Sequence, residues 1–244
     1  MPAATATLMD ILQRTDVWRG DRLAALDGQA QASGFDTLDA QLPGGGWPRG
    51  ALVELLSATR AIGEVSLLLP ALRAVVDEAP IAIVAPPACA HAPAWAAHFP
   101  LAQLLWVTAA DEDIAWSTEQ LLGSGALGAV LAWLPARVDN KTLRRLQLAA
   151  EGCRSLAFMF RDESCARVAS PAPLRLALVG SPDGLRVDIL KRRGPPCARS
   201  LLLQVERPLP WQRVLRRSVP PVGHTVLRGV PSSVKASQPA KVAP

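Results

Sequence analysis

The residues that come nearest to a chemical site lie in a turn between a predicted strand and the helix predicted after it. The turn spans residues 57–66 and reads SATRAIGEVS. A glycine-rich turn at such a junction binds phosphate through its backbone amides, aided by a lysine and a magnesium-binding hydroxyl. Here one glycine is present, Gly63, and Glu64 follows it where the lysine would stand. A carboxylate at ~4 Å from a phosphate oxygen repels it by several kcal/mol, so the turn is predicted to have lost phosphate binding.

The other parts of a phosphate site are also missing. Ser57 replaces the first glycine of the turn, which is one residue longer than expected. Val65 stands where the magnesium-binding hydroxyl would be, with Ser66 one residue further on. The most apolar later strand, within residues 128–135, contains no Asp or Glu to hold a metal, and the first acid after it, Asp139, is predicted to cap the next helix. We therefore predict that neither nucleotide nor metal binds here.

Other residues of catalytic or metal-binding type form no recognisable group. The four cysteines contain no C-x-x-C pair, and no histidine has an evident nucleophile partner. The acidic run 111–113 precedes an apolar helix, where Asp111 is expected to cap the helix. We predict no catalytic residue, no metal and no cofactor. The cysteines and histidines of the chain are Cys89, Cys153, Cys165, Cys197, His91, His98 and His224.

Apolar strands alternate with helices along the body of the chain. The predicted strands are 51–56, 81–85, 104–108, 129–133 and 156–160, and the predicted helices are 63–77, kinked at Pro70, then 94–98, 111–122 and 139–151. Such alternation predicts an α/β fold with a mainly parallel sheet and helices on both faces. A hairpin, 174–179 with 185–190, and a strand at 201–205 predict antiparallel strands at one edge.

Charge and composition divide the chain into three predicted segments. Residues 1–32 are an N-terminal helical extension, 33–206 the core, and 207–244 a flexible tail rich in Pro and Arg, which we expect to be disordered without a partner. From Arg186 onwards there are 12 Lys and Arg against 2 Asp and Glu, while the rest of the chain is mildly acidic. The chain has neither a signal peptide nor a spanning segment by pattern, which predicts a cytoplasmic protein that makes no membrane contact.

The candidate interaction residues are two tryptophans and two basic clusters. Trp47 is expected in an exposed loop and Trp211 in the tail, where each would serve as an anchor for a partner. Trp106, Trp116 and Trp133 follow apolar patterns and are expected in the core. The basic clusters serve a DNA backbone, an acidic protein groove or simple solvation equally well; they consist of Lys191, Arg192 and Arg193, and of Arg213, Arg216 and Arg217.

Several stretches resemble the ImuA family of RecA-like proteins. The approach GFDTLD (34–39) and LPGGGWPRG (42–50), followed by ALVEL (51–55), is similar to the entry of a RecA-type ATPase core. Further similar stretches are IVAPP (83–87), EQLLGSG (119–125), GAVLAWLP (128–135), LRRLQLAAE (143–151) and LKRRG (190–194). The resemblance covers about two-thirds of the chain, from Ser33 to Leu203, and borders on the SOS cell-division inhibitor family, SulA.

The resemblance implies a non-catalytic accessory protein of SOS-induced translesion DNA synthesis. Its implied partners are an inactive Y-family polymerase relative, an error-prone DNA polymerase III α-type subunit and RecA. It carries no catalytic residue to this chain, because Ser57, Glu64 and the acid-free strand depart from the RecA pattern. Two alternatives stay open: an SOS cell-division inhibitor that binds the division-ring GTPase, and a degenerate ATP-binding protein.

Overall fold

A computed structural model describes residues 30–87, 92–197 and 199–206. The helices are α1 (Asp36–Asp39), α2 (Leu69–Val76), α3 (Ala92–Ala96), α4 (Ile114–Gly123) and α5 (Asn140–Glu151). The strands are β1 (Ala30–Gln31), β2 (Trp47–Pro48), β3 (Leu52–Ser57), β4 (Ile81–Val84), β5 (Leu104–Val107), β6 (Ala129–Trp133), β7 (Leu156–Asp162), β8 (Leu174–Ser181), β9 (Gly184–Lys191) and β10 (Leu201–Leu203). Most of the predicted N-terminal extension and the whole predicted tail lie outside the described residues.

Eight strands form one mixed sheet in the order β10-β9-β8-β3-β7-β6-β4-β5. The pairs from β8 through β3, β7, β6 and β4 to β5 are parallel, whereas β8-β9 and β9-β10 are antiparallel. A second, two-stranded antiparallel sheet pairs β1 with β2. The predicted α/β class, the mainly parallel sheet and its antiparallel edge are therefore confirmed, while the small sheet was not predicted.

Alternate residues of the central strands belong to two separate hydrophobic clusters. On β3, Val53 and Leu55 belong to the first cluster and Leu52 to the second. The first cluster also contains apolar residues of α2, and the second contains apolar residues of α4 and α5. This alternation follows from the two-residue repeat of a strand, and it explains why the central strands read as uninterrupted apolar runs.

The antiparallel end of the sheet differs, because its buried apolar residues lie on one face. Leu176, Leu178, Val187 and Leu203 belong to the first cluster, and β8, β9 and β10 contribute nothing to the second. No helix in the described part of the chain has the length and apolar character needed to cross a membrane.

Pro70 marks the beginning of a helix rather than a kink within one. The helix predicted from residue 63 begins only at Leu69, and Pro70 lies in its first turn. Proline suits that position because the first turn has no backbone partner for an amide and its φ is already helical. Residues 61–68 form bends and turns instead. The predicted helix start at the end of the 57–66 turn is therefore wrong.

Candidate functional site

The side chain of Glu64 occupies the amides of its own turn. Its carboxylate is buried, 7% exposed, and accepts hydrogen bonds from the backbone amides of Ala61, at 2.9 Å, and Ile62, at 2.8 Å. Successive amides that point at one spot are the arrangement with which a loop holds an anion. In this turn the anion is an internal carboxylate.

Backbone geometry holds the turn in this form. Gly63 has φ +100°, and a Cβ added there would lie 2.8 Å from Cγ2 of Val205. Ala61 has φ +58°, a left-handed conformation that is uncommon for a residue with a Cβ. Val205 follows strand β10, so the antiparallel end of the sheet packs against the turn.

The carboxyl ends of five strands border a crevice of about 740 Å³. Its lining includes Ser57, Ala85, Thr108, Leu134 and Asp162, which lie at or just beyond the ends of β3, β4, β5, β6 and β7. Ligands of open α/β sheets bind outside the carboxyl ends of their strands. We refer to this feature as the carboxyl-end crevice.

The carboxyl-end crevice has an aromatic wall and a strained residue. Trp133 stacks on Phe160 with ring centroids 4.2 Å apart and planes 9° from parallel, and both rings line the crevice together with Trp106. Trp106 and Trp133 pack against the first cluster but are only partly buried, because they also line the crevice, so their predicted place in the core is confirmed only in part. Ala85 has φ +47°; side-chain-bearing residues in this conformation concentrate at binding and switch regions.

No acid lies at the end of β6. The strand ends at Trp133 and continues into Leu134 and Pro135, and the first acid, Asp139, accepts a hydrogen bond from the amide of Thr142 at 2.8 Å as the N-cap of α5. The hydrogen bond with Thr142 lowers the pKa of Asp139. The predicted cap is confirmed. Within the described ranges, no three His, Cys, Asp or Glu residues converge as metal ligands.

Asp111 does not cap α4. Its carboxylate pairs with Arg137 at 3.1 Å, while α4 begins at Ile114 and its N-cap, Asp113, makes no side-chain cap hydrogen bond. The expectation of a cap at Asp111 is therefore wrong.

A charged network is buried beneath the crevice, and sequence reasoning missed it. The Glu54 carboxylate, on β3, is fully buried and accepts from Arg175 Nε at 2.6 Å, Arg161 Nη1 at 3.3 Å and Ser170 Oγ at 2.7 Å. The two arginines lie on β8 and β7, the strands that flank β3. Buried charges require such partners because an unpaired ion loses its hydration without compensation.

The same two guanidinium groups also donate hydrogen bonds to backbone carbonyls. Arg161 donates to the carbonyl of Val138 at 3.1 Å, and Arg175 donates to that of Cys165 at 2.8 Å. Arg161 also lines the carboxyl-end crevice, and its Nε, buried, has no hydrogen-bond partner. The signal available in sequence was Glu54 and Arg175, each the single charge of an apolar strand, because charges in such strands must pair.

Trp47 is not on the surface. It lies in β2, is fully buried, and makes an edge-to-face contact with Phe158 at 5.3 Å. The apolar body of the ring gains more from the first cluster than from solvent. The prediction of an exposed Trp47 is wrong, and a buried ring has no surface to offer a partner.

The basic residues 191–193 do not form one free cluster. Lys191 donates to the carbonyl of Ser170 at 2.8 Å, and its pKa is lowered by burial, with Arg175 adding to that effect and Glu54 opposing it. Arg192 donates to the carbonyls of Pro195, at 2.8 Å, and Gln41, at 2.6 Å. These two side chains tie chain segments together.

The other members of the predicted interaction set lie elsewhere. Arg193 lines a separate cavity of about 600 Å³ at the amino ends of the strands. Trp211, Arg213, Arg216 and Arg217 lie outside the described residues. Of the predicted interaction residues that the structure describes, none lines the carboxyl-end crevice beside the 57–66 turn.

Comparison with known proteins finds similarity among solved structures. No protein-family model matches the chain, and no curated protein matches it. The crystal structure of SulA from Pseudomonas aeruginosa is similar over 45% of this chain and 97% of that chain, with 22% identity and a TM-score of 0.38. A similarity of this size carries no argument about function.

Proposed function

We propose that this chain is a non-catalytic accessory protein of SOS-induced translesion DNA synthesis, with a RecA-like core that has helices on both faces of its sheet and acts by binding components of a polymerase complex. The observation that carries the non-catalytic part is the Glu64 carboxylate on the amides of Ala61 and Ile62. The translesion part rests on the resemblance of residues 33–203 to the ImuA family.

The 57–66 turn lacks the lysine and the hydroxyl at position 65 that a nucleotide phosphate and its magnesium require. Its convergent amides are already bonded to an anion, so a phosphate would have to displace a buried carboxylate of the same sign. The helix dipole that favours phosphate acts within the first helical turn, but α2 begins at Leu69, five residues after Glu64. With no carboxylate at the end of β6, nothing there would hold magnesium.

Without a nucleotide, the carboxyl-end crevice is held rigid by internal charges and presents a fixed surface to protein partners. The Glu54 network ties β3 to β7 and β8, and Glu64 fixes the turn that follows β3. In an ATPase, such elements move with the nucleotide; in this chain, internal charges take the place of the ligand. The partners that we propose are the inactive Y-family polymerase relative, the error-prone polymerase III α-type subunit and RecA, with DNA contact through the basic tail.

The first test is nucleotide binding by the purified full chain, with Glu64→Lys and Ser66→Ala variants alongside. We expect no binding of a fluorescent ATP analogue by the native chain in the presence of magnesium. Glu64→Lys restores one cation but neither the helix start nor the acid, so we expect it to remain without ATP hydrolysis. Magnesium-dependent hydrolysis by the native chain would refute the non-catalytic proposal, and its loss in Ser66→Ala would locate the site.

The second test separates the accessory role from the alternatives. Deletion of the gene is expected to lower damage-induced mutation, and the chain is expected to co-purify with the two polymerase-type partners. If overproduction instead causes filamentous cells while damage-induced mutation is unchanged by deletion, the translesion proposal is wrong and the division-inhibitor reading replaces it.

A further inference from the structure

The aromatic wall of the carboxyl-end crevice is a row of stacked rings with one face left open. Trp133 of β6 stacks on Phe160 of β7, with ring centroids 4.2 Å apart and planes 9° from parallel. Strand β4 lies on the other side of β6 in the sheet, so the second face of the Trp133 ring points towards the end of β4. A further ring at that position would lie about 4.8 Å away, the spacing of neighbouring strands, which suits aromatic stacking.

Ala85 leaves that position empty because its backbone turns away from the row. Ile83 belongs to the first cluster and Val84 to the second, so strand alternation would place residue 85 on the same face as Trp133. Ala85 instead has φ +47° and packs against the second cluster. Its amide still donates to the carbonyl of Val107 at 2.9 Å, so it stays paired with β5. The left-handed conformation of Ala85 therefore creates a gap in the row of rings.

Trp106 of β5 borders the gap on the side away from Trp133. It pairs in register with Ile83 of β4, and β5 lies about 10 Å from β6, two strand spacings away. Pro86 and Pro87 also line the crevice and have fixed φ angles. The gap can thus take one planar ring, and a crevice of about 740 Å³ leaves room for the peptide backbone on either side of it.

The charges that line the crevice favour a neutral guest. Three acids and two bases are present, so the lining gives a phosphate no net attraction. Glu64 is already held by two amides, and Arg60 is exposed. The other three also have partners: Asp162 accepts from the amide of Ser164, Asp111 pairs with Arg137, and Arg161 pairs with Glu54. A neutral group gives up the least hydration on entering such a site.

We propose that the carboxyl-end crevice binds one aromatic side chain, Trp or Phe, of a partner protein, stacked on the open face of Trp133. Aromatic side chains in well-packed pockets carry much of the binding energy of protein interfaces. The inference deepens the proposed accessory role and rests on it for the partner's being a protein. The two fail separately, because the ring site is measured on the purified chain, whereas the accessory role is measured by mutation frequency and co-purification.

The first probe is N-acetyl-tryptophanamide, a neutral indole, titrated into the isotope-labelled full chain while NMR follows the indole N–H signals. The signal of Trp133, assigned as the one that is lost in Trp133→Leu, is expected to shift and to saturate. N-acetyl-leucinamide is expected to bind about three- to tenfold more weakly because it cannot stack. N-acetyl-argininamide and AMP represent a cationic guest and a phosphate-bearing guest, and both are expected to bind more weakly than the indole.

A second probe distinguishes a protein side chain from a free small molecule. It is the end-capped peptide Ser-Gly-Trp-Gly-Ser, which presents the same ring with backbone on both sides. We expect the peptide to bind more tightly than N-acetyl-tryptophanamide, because its backbone adds contacts inside the crevice. A peptide that binds no more tightly than the amide would refute a protein as the source of the ring.

Variants place the binding at the gap, with affinity measured from the NMR signals of the probe itself. Trp133→Leu removes the stacking face and is expected to weaken binding by about tenfold. Thr108→Trp, at a residue that lines the crevice just after β5, adds a ring of the chain's own and is expected to weaken binding at least as much. Circular dichroism establishes that each variant is folded.

Trp116→Leu is the matched control, because Trp116 lies on α4 outside the crevice and is 59% exposed. The apolar pattern of α4 predicts a buried Trp116, and that prediction is wrong; Ile114 and Leu122 are buried instead. The control is expected to leave binding unchanged. The proposal is overturned if the Trp133 signal does not shift, if any of the other three small probes binds as tightly as the indole, if a folded Thr108→Trp binds normally, or if Trp116→Leu weakens binding as much as Trp133→Leu.

Discussion

Glu54 and Glu64 are both buried carboxylates, 0% and 7% exposed, but one lies in a central strand and the other in the turn that follows it. Glu54 is held by two guanidinium groups and a hydroxyl, whereas Glu64 is held by two backbone amides. The first carboxylate joins three strands of the sheet and the second joins residues at most three positions away. The same chemical group therefore joins three strands of the sheet in one place and substitutes for a ligand in the other.

The largest effect is expected from removing the charge of Glu54. Glu54→Gln leaves Arg161 and Arg175 buried without their carboxylate, so the free energy of unfolding should fall by about 3–5 kcal/mol. Urea denaturation at pH 7 measures this. Glu119→Gln, which breaks the surface pair with Arg145, serves as the control and should cost at most about 1 kcal/mol. Equal losses in both variants would mean that the buried network does not hold the sheet.

Neutralising Glu64 should have a smaller and more local effect. The two oxygens of Glu64 each accept one amide, so Glu64→Gln keeps one neutral hydrogen bond and sets its NH2 donor against the other amide, and we expect a loss of about 1–3 kcal/mol. Hydrogen exchange at the amides of Ala61 and Ile62 should accelerate, while exchange in β3 stays slow. Glu163→Gln, at an exposed site, is the matched control and should change neither. Faster exchange throughout β3 would contradict a local role for Glu64.

Gly63 tests whether the turn itself keeps Glu64 in place. Gly63→Ala introduces a Cβ at φ +100° and 2.8 Å from Val205, and should destabilise the chain by about 1–2 kcal/mol. The double variant Gly63→Ala with Val205→Ala should recover only the stability lost to the clash with Val205, and not that lost to the positive φ. Gly123→Ala, at the last residue of α4, where an added Cβ would meet no atom within 4 Å, is expected to be neutral or stabilising. A harmless Gly63→Ala would show that the turn has another accessible conformation.

Asp139 is an exposed carboxylate that also accepts a hydrogen bond from a backbone amide. Its replacement should change the stability least among these variants. Its pKa is lowered by the hydrogen bond with Thr142, so the charged form stabilises the folded state above the ordinary Asp pKa of about 4 and is lost as pH falls through the lowered value. Asp139→Asn keeps a capping oxygen that does not titrate in this range. The stability difference between native chain and variant should therefore change between pH 7 and pH 3; an unchanged difference would contradict the cap.

The order of elements could be predicted because local pattern and tertiary structure agree there. Residues 129–133 form a strand with the predicted bounds, and α5 differs from its prediction by one residue. Helix α2 could not be placed in the same way, because the apolar stretch before Pro70 suits both a helix and the packed turns that the structure contains. The loss of phosphate binding at Glu64 was predicted from charge, but its hydrogen bonds to Ala61 and Ile62 depend on the fold of the turn.

The sequence by itself determined the α/β class, the antiparallel edge and the absence of a lysine and an acid where a phosphate site needs them, because periodicity and residue type act over a few residues. Only the tertiary structure decided that Trp47 is buried against Phe158, that Trp116 is exposed, and that Glu54 meets Arg161 and Arg175. These outcomes depend on which strands become neighbours. Residues 54, 161 and 175 are more than a hundred positions apart at the extremes, and a local pattern carries no information about a pairing at that separation.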